Sequence, residues 1–490
     1  MYRAPSKRKK RAQLFFVYSL MITAVLAIVS ILVLIMLGYR FNKFDGQIEQ
    51  GGLVQFDSRP SGATVTVDST VLSNKTASKI TLTTGKHTVI MAKDGYNAWK
   101  KDVTVNAGGV LWLNYSLLLP SKLTTKNVYE SPTISSAVTS PDKKYLATLG
   151  SASDSTISVT PLNDTDPATT KVTISPPSYT VPDIGKSSSF TFVGWDKDSR
   201  HMIVRHSYND GLVEYVSVDL RGQDETRNIS RTVGGGISAL EFSLADSNIV
   251  YVLTDTHELR RVSLSDSNVS APLLTNVASF SQGDRSTIAY ATIPDPITKK
   301  RDLGYWTTSS SSPRVLRTVV DAGSRAADIS MSTYYSEQYV VFANGTDVEI
   351  LTGDLPVSDS TNRLSLTQVA HYTLPHEESK IGFSPYENRF VYAQFNGGVW
   401  TYDLEVKKLS KTTFEGASPS RPLDWLNTYH FATTNNDMFA FYDFDGTNRQ
   451  VVNAKVVDLP VAMSENSRYV YHFATTEKGI SLIRTKLITD

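Results

Sequence analysis

From Leu123 to the end of the chain one pattern returns eight times: a short apolar strand, a polar turn and a second apolar strand. The clearest copies begin at Ser135 (SSAVTSPDKKYLATLG), Phe190 (FTFVGWDKDSRHMIVRH), Ile237 (ISALEFSLADSNIVYVL) and Lys380 (KIGFSPYENRFVYAQ). Weaker ones begin at Val277, Ala327, Pro422 and Asp458, and several copies run on into a third strand, as in GLVEYVSVDL and GGVWTYDLE. A spacing of about 46 residues is that of one four-stranded propeller blade. Blades packed face to face in a closed ring bury both of their faces, so central runs such as NIVYVL and RFVYAQ are almost continuously apolar instead of alternating. The expectation for residues 123–490 is a β-propeller of seven or eight blades. The count stays open because one weaker copy also reads as an insertion, and two-sheet sandwiches in series are the alternative architecture.

The turns FSPYENR and TSPDKK resemble the WD40-like repeats of TolB-type bacterial propellers. That resemblance implies architecture across residues 123–490 and no particular activity.

Ahead of the repeats, Leu14 to Gly38 is apolar apart from Ser19, Thr23 and Ser30, long enough to cross a bilayer at 1.5 Å per residue. Arg3, Lys7, Arg8, Lys9, Lys10 and Arg11 precede it without an acidic residue, whereas Arg40 and Lys43 behind it are matched by Asp45 and Glu49. This asymmetry predicts a transmembrane helix over 14–38, a cytoplasmic N-terminus over 1–13 and an extracytoplasmic remainder. A cleaved signal peptide is the competing reading, against which stand the length of the run and the lack of an A-x-A-like site. The same basic run could be a nucleic-acid arm, but beside an apolar span it is a topology signal, and no nucleic-acid partner is expected.

Between Gly51 and Pro120 short alternating runs are separated by turn residues: Val54 and Phe56, Val65 and Val67, Ile80 and Leu82, Val89 and Met91, Val103 and Val105, then Leu111, Leu113 and Tyr115. This is an all-β pattern. Pro60, Ser61, Gly62 and Ala63 stand between the first two runs, the proline fixing φ and the glycine tolerating the positive φ that follows. These residues, with VTVD, TTGKHTV, KDGY and LWLNYSLLLP, resemble the PEGA domain, with serine in place of the glutamate of its Pro-Glu-Gly-Ala motif. The resemblance implies a β-module over 51–120 of a typically bacterial, extracytoplasmic kind, serving as a spacer or binding unit without catalytic residues.

Composition mainly excludes. At a typical domain size of about 150 residues the 490-residue chain divides into two to four units. A net charge of +1 supplies no field for polyanions, and the absence of cysteine removes thiolate catalysis, cysteine-ligated metals and disulfides. The histidines His87, His201, His206, His257, His371, His376, His430 and His472 show no helical zinc spacing, and LPHEESK holds only a His-Glu pair. His201 and His206 are five apart along a strand, hence on opposite faces. YDFDGTN offers Asp443 and Asp445 beside a glycine, which fits a hairpin turn better than a calcium loop needing six or more oxygens. GGGIS at Gly234–Ser238 lacks the second glycine of a nucleophile elbow. Trp195, Trp306, Trp400 and Trp425 could line a recognition face but are expected to pack between blades. Six N-x-S/T sequons, among them Asn114 and Asn344, are what a Ser/Thr-rich β-protein carries by chance.

No residue stands out as catalytic, cofactor-binding or metal-binding, so no cofactor is expected. The leading expectation is a non-enzymatic, membrane-anchored binding or scaffold protein of the cell envelope, its partner an envelope protein or a cell-wall polymer. Two alternatives stand beside it. One is a polysaccharide lyase or hydrolase, which would need acidic, basic or imidazole groups converging from several blades in the propeller channel. The other is a self-assembling surface coat.

Overall fold

A computed structural model describes residues 7–36, 39–41, 48–221, 226–320, 327–356, 364–414, 423–435, 438–454 and 456–488; Arg3, Gly38, Lys43, Asp45 and Pro422 lie outside them. The chain divides into two compact units, Met1–Lys122 and Leu123–Thr489.

In the first unit Lys7–Met36 is a helix, and its segment Leu14–Ile35 is long and apolar enough to cross a membrane, with none of its apolar window buried. A hydroxyl inside that segment is satisfied locally, Thr23 Oγ1 donating to Ser19 O one turn back at 2.9 Å. The β-module consists of two four-stranded sheets. In one, Ile48–Arg59 pairs antiparallel with Tyr39–Phe41 and Ser78–Thr83 and parallel with Val110–Leu117. In the other, Thr64–Val67 joins Thr70–Val71 to Gly85–Ala92, which pairs with Trp99–Val105. One side chain in two turns inward along Trp99–Val105, and Val54, Phe56, Val65, Met91, Trp99 and Leu113 form a common core. Trp99 is its largest fully buried side chain. Lys101, on the same face, lays its stem along the core and sets its ammonium 4.9 Å from the Tyr115 ring. At the Pro60–Ala63 turn Gly62 takes φ +82°, and Thr76 ties the turn down: its Oγ1 accepts from Ala63 N at 2.9 Å and bonds Ser58 Oγ at 2.6 Å.

The second unit contains eight four-stranded antiparallel sheets among the described residues. Sheets 1 to 7 are consecutive meanders over 136–173, 188–228, 237–269, 277–320, 328–373, 378–413 and 424–454. Sheet 8 takes Ala462–Met463, Tyr469–Thr476 and Gly479–Lys486 from the end of the unit and its outer strand, Thr124–Ser131, from the beginning. Each of the eight sequence copies falls on the first two strands of its own sheet, so the weaker copies are not insertions.

The repeat has a physical basis in its turn. Ser140, Ser384 and Ser464 each end a first strand, and the hydroxyl of each accepts the backbone N–H that opens the second, from Tyr145, Phe390 and Tyr469 at 3.0, 3.2 and 3.1 Å. Hydrophobic clusters then join the sheets in order. Ala147, Leu149, Phe190 and Val204 bridge sheets 1 and 2, while Ile203, Leu240 and Val252 bridge sheets 2 and 3. Corresponding clusters bridge 3 to 4, 4 to 5, 5 to 6 and 6 to 7. Sheet 7 meets sheet 8 where Phe439 packs on His472 and Asn453 bonds it. Ala137, Leu146, Tyr471 and Phe473 join sheet 8 back to sheet 1. The ring is closed, which excludes the sandwiches in series. The central strands Ile249–Thr254 and Phe390–Phe395 are buried along nearly their whole length, as packing on both faces requires.

Candidate functional site: the propeller channel and an adjoining cleft

First strands of successive sheets touch one another, Ser136–Thr139 with Ser188–Trp195, Val277–Gln282 with Asp328–Tyr334 and then Glu378–Phe383, which places them around the centre of the ring. Serine hydroxyls stitch them together: Ser279 Oγ and Ser281 Oγ donate to Ala327 O and Ile329 O at 3.1 and 2.7 Å, and Ser136 Oγ accepts from Phe192 N at 3.3 Å. Charges from two other sheets act on Glu241 of sheet 3 here, Asp328 of sheet 5 and Lys380 of sheet 6. Gln282 of sheet 4 donates to Glu241 Oε2 at 3.3 Å and to Phe242 O at 2.6 Å. Glu241 is exposed to solvent yet closely surrounded by protein, as a group on a channel wall is. That crowding pushes its carboxyl above the ordinary range; Gln282 and Lys380 oppose the shift and Asp328 adds to it.

At the end of the ring where first strands turn into second strands, Lys143 of sheet 1 reaches past sheet 8. Its Nζ donates to Leu426 O of sheet 7 and stands 4.5 Å from the Tyr386 ring of sheet 6. Burial lowers this ammonium to about 8.

Beside this end, a cleft of about 640 Å³ opens between sheets 1 and 2. Val159, Val172 and Leu220 give it an aliphatic floor, continuous with the cluster joining the two sheets. Its polar walls include Asp142, Lys144, Tyr145, Asp198, Arg200 and Arg221. Arg200 is fixed from behind, its Nε and Nη2 donating to Asp219 Oδ2 at 3.0 and 2.5 Å. Ser140 Oγ and Lys144 N donate to Asp142 Oδ1 at 2.6 and 3.1 Å; although burial opposes it, these bonds help hold that carboxyl below its usual range.

The buried imidazoles go into staples between strands. His201 and His206 lie in one strand, His201–Tyr208, and face opposite ways as their spacing predicts. His201 Nδ1 bonds Asp196 Oδ2 at 2.7 Å, and the ring approaches Phe242 of sheet 3. His206 instead stacks on Phe190 and Tyr208 at 4.3 and 5.2 Å. Its Nε2 lies 2.9 Å from Ser188 Oγ and its Nδ1 2.9 Å from Glu214 Oε1, the order of a nucleophile, a base and an orienting acid. The imidazole has 0% exposure, however, and both nitrogens are engaged, so these bonds pin three strands together. Although burial opposes it, bonds from Thr180 N, His206, Asn228 and the Thr180 hydroxyl hold the Glu214 carboxyl below its ordinary range. His430 differs: its Nδ1 is 2.9 Å from Asn427 Oδ1 in the turn before its own strand, and its Nε2, 3.5 Å from Asp443, makes no hydrogen bond among the described residues.

The other residues singled out by sequence are dispersed. His87 bonds Asp68 in the β-module, His257 bonds Val277 O, His371 is 3.8 Å from Asp347, and His376 sits near Phe395. Asp443 and Asp445 belong to the hairpin after Met438–Asp443, where Asn448 Nδ2 and Thr447 Oγ1 donate to them at 2.8 and 2.7 Å. Gly234 ends a short helix, Ile229–Val233, which the all-β reading did not foresee. At Gly236 a Cβ would overlap the Asp255 carboxylate. Trp195, Trp306, Trp400 and Trp425 lie between sheets, packed in or against the clusters that join them. Among the described residues no group of three or more His, Asp or Glu is placed to hold a metal ion. Sequence reasoning missed Glu241, Asp328 and Lys380 because they come from three different copies; Glu241 and Asp328 are each the one charge on their first strands, whereas Lys380 shares ESKIGF with Glu378.

The class defined by these features is a β-propeller protein carrying a separate two-sheet β-module. The module is matched by the PEGA domain family over residues 52–119. No curated protein matches the chain significantly. Among solved structures, the C-terminal WD40 domain of Sif2 is 11% identical, with 75% of this chain and 99% of that one covered and a TM-score of 0.49. An oligogalacturonate lyase in complex with manganese is 10% identical, with 75% and 98% covered and a TM-score of 0.43. The Cps50 (Swd1) propeller domain of Myceliophteria thermophila is 10% identical, with 75% and 100% covered and a TM-score of 0.41. The propeller described above rests on its own sheets and clusters.

Proposed function

We propose that this is a membrane-anchored binding protein of the cell envelope. Leu14–Ile35 crosses the membrane with the basic N-terminus in the cytoplasm, the PEGA unit acts as a spacer, and the propeller presents a recognition surface outside. The observation that carries the reading is the division of polar groups in the propeller. Three of its acid–base contacts, His201 with Asp196, His206 with Glu214 and Arg389 with Asp403, are buried between strands. The open surfaces carry groups of mixed charge on a rigid scaffold, an arrangement suited to recognition.

Two experiments test it. Protease added to intact cells should remove the propeller as completely as in lysed cells; protection in intact cells alone overturns the topology. The full chain in detergent, incubated with isolated wall material and separately with solubilised envelope proteins, should be retained by one of them; retention by neither overturns the binding role.

The channel favours a second reading. A carboxyl raised above its usual range, with a lysine and a second carboxylate acting on it, is the raw material of acid–base catalysis. If the channel cleaves polysaccharide, the full chain should release reducing ends from neutral or uronic polymers, and Glu241→Gln should stop it. No release by the unaltered protein removes this reading.

A further inference from the structure

We propose that the cleft between sheets 1 and 2 binds a neutral oligosaccharide. This rests on the binding role proposed above and names the chemistry of its ligand. Three features of the cleft carry it.

The first is the pairing of an aliphatic floor with polar walls. A sugar ring offers apolar C–H faces and hydroxyl edges. Val159, Val172 and Leu220 can receive the faces, and Tyr145, 38% exposed at the rim, adds an aromatic surface with a hydroxyl of its own. The second is charge balance. Lys144 faces Asp142, Arg200 and Arg221 share Asp219 behind Arg200, and Asp198 in the wall is bonded by Lys197. A polyanion would find each cation already facing a carboxylate, whereas hydroxyl groups, which both donate and accept, can use either kind of partner. The third is rigidity and size. Arg200 and Asp142 are fixed by neighbouring groups before any ligand arrives, which lowers the ordering cost of binding. A volume of about 640 Å³, open along one side, suits a short segment of a chain that continues beyond the cleft.

The test uses the full chain in a detergent without a sugar headgroup, titrated calorimetrically with cellohexaose, chitohexaose, maltohexaose and hexagalacturonate. At least one neutral hexasaccharide should bind, and Tyr145→Ala and Arg221→Ala, both at exposed positions, should each weaken it about tenfold or more. Tyr335→Ala, at an exposed turn of sheet 5, should leave affinity unchanged. No binding of any neutral hexasaccharide at millimolar concentration overturns the proposal, as does tighter binding of hexagalacturonate or binding indifferent to Tyr145→Ala and Arg221→Ala. Retention of the chain on envelope protein that Tyr145→Ala abolishes, with no sugar bound, assigns the cleft to a protein partner instead. If sugars fail while wall material still retains the chain, only the ligand class falls; if both fail, the binding role falls too.

Discussion

At the residue scale, several of the propeller's buried polar side chains are matched to specific partners, and removing one partner exposes the cost of burying the other. Glu214, 3% exposed, shares a bond with His206, so His206→Ala leaves a buried carboxylate short of a donor. Its expected cost is about 3 kcal/mol, read from the urea midpoint of the propeller's unfolding. Ser188→Ala, which removes only a neutral bond, should cost about 1 kcal/mol. A ratio near one would mean that the bonds from Thr180 and Asn228 sustain the carboxylate without the imidazole. His472 has 0% exposure and takes one bond, from Asn453 Nδ2 to its Nε2; burial lowers its imidazole to about 4 from an ordinary 6.5. The unfolded chain binds a proton below about pH 6.5 while the folded chain resists it down to about pH 4. Stability contributed by the neutral ring is therefore complete above pH 6.5 and is lost as pH falls through that window, a change on the order of 3 kcal/mol. His472→Phe, which keeps a ring against Phe439, should flatten this part of the stability–pH curve; an unchanged slope would assign the acid sensitivity to other groups.

At the scale of elements, the strand Thr124–Ser131 has an effect out of proportion to its length. It is the outer strand of sheet 8, paired along Gly479–Lys486, and so it ties the start of the propeller to its end. Removing residues 123–131 should leave Gly479–Lys486 as an unprotected edge. The expected outcome is a lower melting temperature and concentration-dependent association in light scattering. A monomer with unchanged melting would mean that the clusters between sheets hold the ring without this strand. In the PEGA unit the corresponding element is Trp99–Val105, whose alternation delivers Trp99 to the core. That residue was absent from the runs read as core, because in YNAWKKD a single tryptophan stands among polar neighbours and its inward partner is a lysine. A charged residue on the inward face hides the start of this strand and leaves only Val103 and Val105 legible by apolar alternation.

At the scale of the whole molecule, two units with separate cores should melt separately. Calorimetry of the full chain is expected to show two transitions, and Trp99→Ala, costing about 3–5 kcal/mol, should move only the one belonging to the PEGA unit. A single transition that shifts as a whole would mean that the units unfold together. The sequence by itself determined what depends on neighbours along the chain. The apolar run of Leu14–Ile35 and the alternation around Val65 and Val67 are each written in consecutive residues, and the strand–turn–strand rule, closed by Ser140, Ser384 and Ser464 in three of its copies, returns in each copy. Repetition of that rule at a blade's period was enough to give the propeller, and positive φ at Gly62 was readable from its place after Pro60. Only the tertiary structure decided what depends on meeting at a distance. Ring closure joins residues more than three hundred positions apart, as in Asn127 bonding Ser481. The site candidates were illegible for the same reason: Glu241, Asp328 and Lys380 come from three sheets, and the cleft from two. Hydrogen bonds between adjacent strands leave a period in the sequence, whereas groups brought together across a ring leave none.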